Sequence, residues 1–196
     1  MKKAGIVVGI VLCAALVCGG FYYMKSYLGG QNRGDELTEV QKLIARDLEA
    51  QYPQTPREVT KFYNRIILAY YEENLTDEEF DALADQALLL FDEELLEANP
   101  KEDYKKSVLA DTADFDSRKR SITKASVCDS KDVIYRNDAN NGDEIAYVLA
   151  SYFVKAGNGY DKTYQQYVLR KNADGNWKIL TYYQVKGVES TEEEDD

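Results

Sequence analysis

The chain contains no histidine. That absence removes the commonest general base, the commonest metal ligand and every Ser-His or Cys-His nucleophile arrangement. Cysteine is nearly as scarce. Cys13 and Cys18 sit in an apolar run and Cys128 stands alone in the rest, so no disulfide can form within the body. A lone cysteine in an apolar, β-rich stretch reads as a small buried hydrophobe. Positive charge is also in deficit: 24 Lys and Arg face 35 Asp and Glu, for a net charge of -11. Residues 1–30 hold Lys2, Lys3 and Lys25 and no acid, so every acid lies beyond them. An acidic body of that kind repels nucleic-acid phosphates and anionic lipid, and no nucleic-acid partner is expected. What the chain does have is apolar material, 44% of 196 residues. That is enough for one packed domain with an appendage.

The appendage is N-terminal. Ala4 to Met24 (AGIVVGIVLCAALVCGGFYYM) is 21 residues without a charge. As a helix it would span about 30 Å, the hydrocarbon thickness of a bilayer. Phe21, Tyr22, Tyr23 and Tyr27 stand where an aromatic belt belongs, and Lys2 and Lys3 precede the run. A retained signal-anchor is the favoured reading, because the run is long and no A-x-A site follows it. A cleaved signal peptide is the second. A lipoprotein is the third, on the faint lipobox Ala15-Leu16-Val17-Cys18-Gly19, in which Val17 is large for its place. Lys2 and Lys3 against Lys25 and Arg33 leave the positive-inside count tied. The short N-terminal stub and the large acidic domain behind the run favour a cytoplasmic N-terminus. The expected localisation is the cell membrane, single-pass, with the C-terminal domain extracellular.

The expected organisation is a transmembrane anchor over 1–28, a Gly-rich flexible tether over 29–36, an α+β extracytoplasmic domain over 37–188, and a disordered acidic tail over 189–196. The first half of the body has period 3.6. Thr38 with Gln41, Thr55 with Glu58 and Thr76 with Glu79 form capping boxes, and Pro56 takes the first position of the second helix. That helix carries the stripe Val59, Phe62, Tyr63, Ile66, Ile67 and Tyr70; the third carries Phe80, Leu83, Ala84, Ala87, Leu88, Phe91 and Leu95. Asn99-Pro100 opens a weaker fourth helix. The second half switches to period 2. Strands are expected over Ile122 to Cys128, Asp132 to Arg136, Glu144 to Lys155, Lys162 to Lys171 and Trp177 to Val185. Asn141-Gly142, Gly157-Asn158-Gly159 and Asp174-Gly175 supply the turns. Strands joined so tightly are antiparallel. The fold class is therefore α+β, with three to four helices packed on a curved antiparallel sheet. In the last strand, Trp177, Ile179, Thr181, Tyr183 and Val185 form the bulkier face and are assigned to the helix side, with Lys178, Leu180, Tyr182 and Gln184 opposite.

Helices followed by a hairpin-linked sheet closing on an aromatic strand, NADGNWKILTYYQV, resemble the cone-shaped, cystatin-like nuclear transport factor 2-like fold, which includes SnoaL-like and ketosteroid-isomerase-like proteins. The segments TPREVTKFYNRI, DEEFDALADQALLLFDEELLEANPKEDY and AYVLASYFVKAGNGYDKTYQQYVLRK are similar to an uncharacterised family of small membrane-anchored proteins from anaerobic Gram-positive bacteria. The first resemblance implies a cone that can hold a small ligand and hosts enzymes and non-enzymes alike. The second implies location and fold and supplies no activity. One departure stands out: no β-hairpin is evident between the second and third helices.

The residues themselves point to no catalytic, cofactor-binding or metal-binding set, and no cofactor is expected. The strand tyrosines Tyr147, Tyr152, Tyr164, Tyr167, Tyr182 and Tyr183 are the candidates for the cone. A Tyr beside an Asp could serve as oxyanion donor and base, but no such pair follows from spacing, and core or rim tyrosines explain the number. Asp138 to Glu144 carries oxygen ligands, but its Gly falls one place early for a calcium loop. The acid clusters Glu72-Glu73, Asp77-Glu78-Glu79 and Asp92-Glu93-Glu94 read as solvated helix faces, with docking to a basic partner or cell-wall polymer as the alternative. The expectation is a non-enzymatic binding or accessory module, held on the membrane through residues 4–24, with a protein or small-ligand partner at the cone. The alternative is a small-molecule enzyme of the SnoaL or ketosteroid-isomerase kind using a Tyr/Asp cone.

Overall fold

A computed structural model describes residues 37–71, 75–139 and 141–186. The expected anchor, tether and acidic tail lie outside the described residues. Among the described residues no helix is long and apolar enough to cross a membrane.

Among the described residues, five α-helices precede five strands. The helices are α1 (Glu39–Ile44), α2 (Pro56–Tyr70), α3 (Asp77–Leu88), α4 (Glu93–Ala98) and α5 (Lys101–Ser117). The three capping boxes form as their sequence spacing predicts, with Thr38, Thr55 and Thr76 each accepting from the backbone N–H three residues on. The expected third helix divides in two. It ends at Leu88, Phe91 forms a parallel bridge with Ile179, and Asp92 caps a separate six-residue α4. The apolar spacing through Phe91 and Leu95 is real, but the backbone at 90–92 leaves the helix to pair with the sheet: Ile179 N–H donates to the Leu90 carbonyl and Asp92 N–H to the Ile179 carbonyl. Helix α5 buries only Tyr104.

The strands are β1 (Arg120–Val127), β2 (Ile134–Asn137), β3 (Glu144–Ala156), β4 (Gly159–Lys171) and β5 (Trp177–Val185). They make one antiparallel sheet in the order β1-β3-β4-β5, with β2 pairing the opposite end of β3 on the β1 side. The β3–β4 turn is tighter than expected: Ala156 pairs with Gly159 across Gly157-Asn158. Gly157 has φ 58, the left-handed first position that a two-residue II′ turn gives to glycine. The helices lie on one face of this sheet, an arrangement compatible with the nuclear transport factor 2-like fold.

The core forms between the helices and the inward residues of the long strands. Val59, Phe62, Tyr63 and Ile66 of α2 and Leu83, Ala84 and Ala87 of α3 meet Ala146, Val148, Ala150 and Tyr152 of β3 and Tyr167 and Leu169 of β4. Cys128 is half-buried against that core with a free thiol, less enclosed than expected.

The face assignment of β5 holds only for its first half. Trp177 and Ile179 are buried on the helix side. Leu169 then pairs with Ile179 while its neighbour Val168 pairs with Thr181, so Leu180 is an extra residue in β5. A bulge of this kind reverses the alternation beyond it. Tyr182 turns inward beside Tyr167, and Tyr183 is 49% exposed on the outer face.

Candidate functional site

Helix α2 and strands β3 and β4 bring polar groups together in the middle of the apolar interior. Asn64 is 3% exposed, Tyr152 6% and Tyr167 0%. Tyr152 Oη donates to Asn64 Oδ1 at 2.5 Å, and Tyr167 Oη lies 3.0 Å from the same oxygen. The two hydroxyls are 2.5 Å apart, and Tyr167 also reaches Gln165 Oε1 at 3.0 Å. Four close oxygen–oxygen approaches thus share the two protons that the hydroxyls carry. Asn64 Oδ1 serves as the common acceptor, and Asn64 Nδ2 is buried without a partner. Turning the amide over would leave a carbonyl in that place instead, so one polar end of Asn64 is left over in either orientation.

More tyrosines pack around this cluster. Tyr63 lies edge-on to Tyr167 with ring centroids 5.9 Å apart, and Tyr182 contacts Tyr63 and Tyr167 at 6.0 and 5.6 Å. Tyr70 and Tyr104 approach through their hydroxyls at 3.4 Å. Burial pushes the phenols of Tyr63, Tyr70, Tyr152 and Tyr167 well above the usual tyrosine range, and that of Tyr104 to about 12. At neutral pH they are hydrogen-bond donors, not bases. Of the six strand tyrosines named from sequence, the structure brings Tyr152, Tyr167 and Tyr182 inside. Tyr147, Tyr164 and Tyr183 lie on the opposite face by pairing and alternation.

Asn64 also lines a groove of about 380 Å³ between α2 and the outer edge of β1. One wall is Lys61, Asn64, Arg65 and Leu68, a single helical stripe at steps of 3, 4 and 7; the other is Ala125, Ser126 and Val127. Arg65 is held by Glu39 at 2.6 Å and lies over the Phe62 ring. Lys61 is exposed at the rim. The groove therefore offers cations at its mouth and an amide in its wall, and suits a ligand rich in hydrogen-bond acceptors. Sequence reasoning missed it. The signal available was Thr60 and Asn64, polar residues set among the apolar positions of α2, and both are buried.

The remaining sequence candidates do not converge. Asn141-Gly142 is a turn, with Gly142 at φ 79 donating to the Asp138 carbonyl. Asp92 is an N-cap and the 2.5 Å ion-pair partner of Arg170. Among the described residues no three His, Cys, Asp or Glu side chains are placed to hold a metal ion. A family model described as Domain of unknown function (DUF6715) matches residues 1–182. No curated protein matches the chain.

Proposed function

On the premise that this chain belongs to the family of domains of unknown function DUF6715, we propose that it is a membrane-held extracytoplasmic binding module whose site is the α2–β1 groove. The observation that carries the reading is Asn64. A buried amide with one unpartnered end costs stability, and this one lines a groove with Lys61 at its rim. The ligand chemistry that suits it is a small carboxylate or phosphate. The uncharged run Ala4 to Met24 supplies the membrane anchor, and the nuclear transport factor 2-like cone supplies a scaffold whose deep interior is filled with tyrosine.

The experiment is a nitrogen-15 NMR titration of the Asn64 side-chain NH₂ in the folded chain, with acetate, citrate and inorganic phosphate as probes. A saturable shift of that resonance, lost in Lys61→Glu, supports the proposal. An NH₂ signal that ignores all three probes sinks it. Protease treatment of intact cells tests the location separately: a body that resists digestion until lysis lies on the inner side.

A second reading, the enzyme of the SnoaL or ketosteroid-isomerase kind, is favoured by the 2.5 Å pair of Tyr152 and Tyr167 hydroxyls. Short phenol hydrogen bonds suit an oxyanion donor. Against it, the two protons already have acceptors in Asn64 and Gln165. A ligand whose NMR contacts reach Tyr152 Oη would favour this reading over the groove.

A further inference from the structure

The strand residues that face outward from the sheet carry charge of one sign. Pairing and alternation place Lys124 of β1, Arg136 of β2, Lys155 of β3, Lys162 and Arg170 of β4 and Lys178 of β5 on that outer face. No Asp or Glu occupies an outward strand position; Glu144 and Asp161 are on the helix side. In a chain of net charge -11 this is a segregation of charge, and the overall balance conceals it. Two of the six cations are engaged. Arg170 is met by Asp92, Glu94 and Asp143, which neutralise that end of the face, and Lys178 donates to the Leu89 carbonyl. Lys124, Lys155 and Lys162 are exposed, and among the described residues none of the ion pairs includes them. Lys124 and Lys162 flank the Phe153 ring at 5.8 and 5.4 Å, and Lys162 also lies 5.0 Å from the Tyr164 ring. Their ammonium groups thus share one corner of the face.

The chain leaves the sheet at that corner. The last pair of β5 is Val185 with Tyr164, two positions from Lys162. A hollow of about 440 Å³ there is lined by Lys162, Thr163, Tyr164, Gln184, Val185 and Lys186. The residues that follow include Glu189, Glu192, Glu193, Glu194, Asp195 and Asp196. Ten residues beyond Lys186 reach at most about 33 Å. Lys124 is two strands from Lys162 in the row Lys124, Phe153, Lys162, so it stands about 10 Å away.

We propose that the outer face of the sheet is an anion-docking surface, and that its occupant in the free protein is the chain's own acidic segment 189–196, laid across Lys162, Lys124 and Lys155. Tethering raises the local concentration of the acids at that corner, and each lysine–carboxylate contact is an exposed pair that salt weakens. The segment then acts as a built-in competitor for any external polyanion that approaches the face.

The test is carbodiimide cross-linking of the full chain in a neutral detergent, followed by peptide mapping. Intramolecular links from 189–196 should concentrate on Lys124, Lys155 and Lys162 over the exposed helix lysines Lys42, Lys61 and Lys106. They should disappear in about 1 M sodium chloride, where the screening length is about 3 Å. A synthetic ESTEEEDD peptide should bind the chain truncated after Val188. It should bind at least about tenfold more weakly to the full chain and to a truncated Lys124→Glu, Lys155→Glu, Lys162→Glu variant, as the loss of three exposed pairs implies. Links spread evenly over the helix lysines overturn the proposal, as do links found only between two chains. A peptide that binds the triple variant as well as the parent overturns it too, provided the variant melts with its parent.

Discussion

Replacing Asn64 with leucine removes a buried amide and puts an apolar side chain of similar size in its place. Two hydrogen bonds into Oδ1 are lost, from Tyr152 at 2.5 Å and Tyr167 at 3.0 Å, at about 0.5–1.5 kcal/mol each. The two hydroxyl protons are not stranded, however. Tyr152 can donate to Tyr167, 2.5 Å away, and Tyr167 to Gln165 at 3.0 Å. Against the loss stands the removal of the unpartnered Nδ2, whose burial costs about 1–3 kcal/mol. Additional apolar contact in a site this enclosed returns roughly another 1 kcal/mol. The balance centres on about 1 kcal/mol stabilising. In a domain of this size 1 kcal/mol moves the melting temperature by about 2–4 °C, so Asn64→Leu should melt at or a few degrees above the parent. Differential scanning calorimetry on parent and variant measures this directly. A protein that keeps a costly amide in the wall of a groove gains stability when the amide goes and loses binding with it. If Asn64→Leu instead melts more than about 5 °C below the parent, the amide is a structural brace satisfied by water in solution. The groove proposal then loses its carrying observation.

Tyr182→Ala should cost about 2–3 kcal/mol, since the half-buried ring packs on Tyr63 and Tyr167. Tyr183→Ala, at 49% exposure on the other face, should cost under about 1 kcal/mol; urea melts that reverse this order would move the bulge out of β5. Asp92→Ala should lower stability by about 3 kcal/mol, because it removes the α4 cap and leaves Arg170 without its closest partner. Asp92→Asn should fall between the variant and the parent, because it keeps the cap. The buried phenols are raised above their unfolded value near 10, Tyr71 and Tyr104 to about 12. The stability they contribute is fully present below pH 10 and is lost as the pH rises through the folded values. Stability should therefore be level through the neutral range and fall above about pH 10, by up to about 1.4 kcal/mol per pH unit for each phenol held protonated. Tyrosinate absorbance should reach its full value only as the chain unfolds, because the buried phenols stay protonated until then.

The helix starts were legible because a capping box is a local contract between residues three apart, and Thr38, Thr55 and Thr76 each keep it. The turns were legible for a similar reason: glycine at Gly142, Gly157 and Gly175 supplies a positive φ that few other residues adopt at low cost. Two features were not legible, and both are long-range. Phe91 has helical spacing with Leu88 and Leu95, yet its backbone pairs with Ile179, 88 positions away. Leu180 looks like any other strand residue, and only its pairing with β4 makes it the extra one. The site suffered likewise. Asn64 reads as one polar residue beside an apolar stripe until Tyr152 and Tyr167, 88 and 103 positions on, are folded against it.

The bulge at Leu180 decides which rings fill the interior between helices and sheet. Without it, strict alternation from Trp177 and Ile179 would send Tyr183 inward and leave Tyr182 outside. With it, Tyr182 closes over Tyr63 and Tyr167, and the space between α2 and the sheet is filled with rings. A filled interior leaves the groove where α2 meets the outer edge of β1 as the place for the proposed site. It also leaves Asn64 at the boundary, engaged by hydroxyls on one side and next to an open groove on the other. The same reversal turns Tyr183 outward, beside Gln166 and one row from Tyr164, on the face that carries Lys124, Lys155 and Lys162. One inserted residue thus fixes which of the two tyrosines fills the interior and which stands on the outer face. Deleting Leu180 should leave both rings in place: with the extra residue gone, plain alternation from Ile179 keeps Thr181 opposite Val168 and Tyr182 opposite Tyr167, inside. A Leu180 deletion that folds with Tyr182 open to solvent, judged by nitration of its ring, would show that Leu180 is not the extra residue and that the reversal in β5 has another cause.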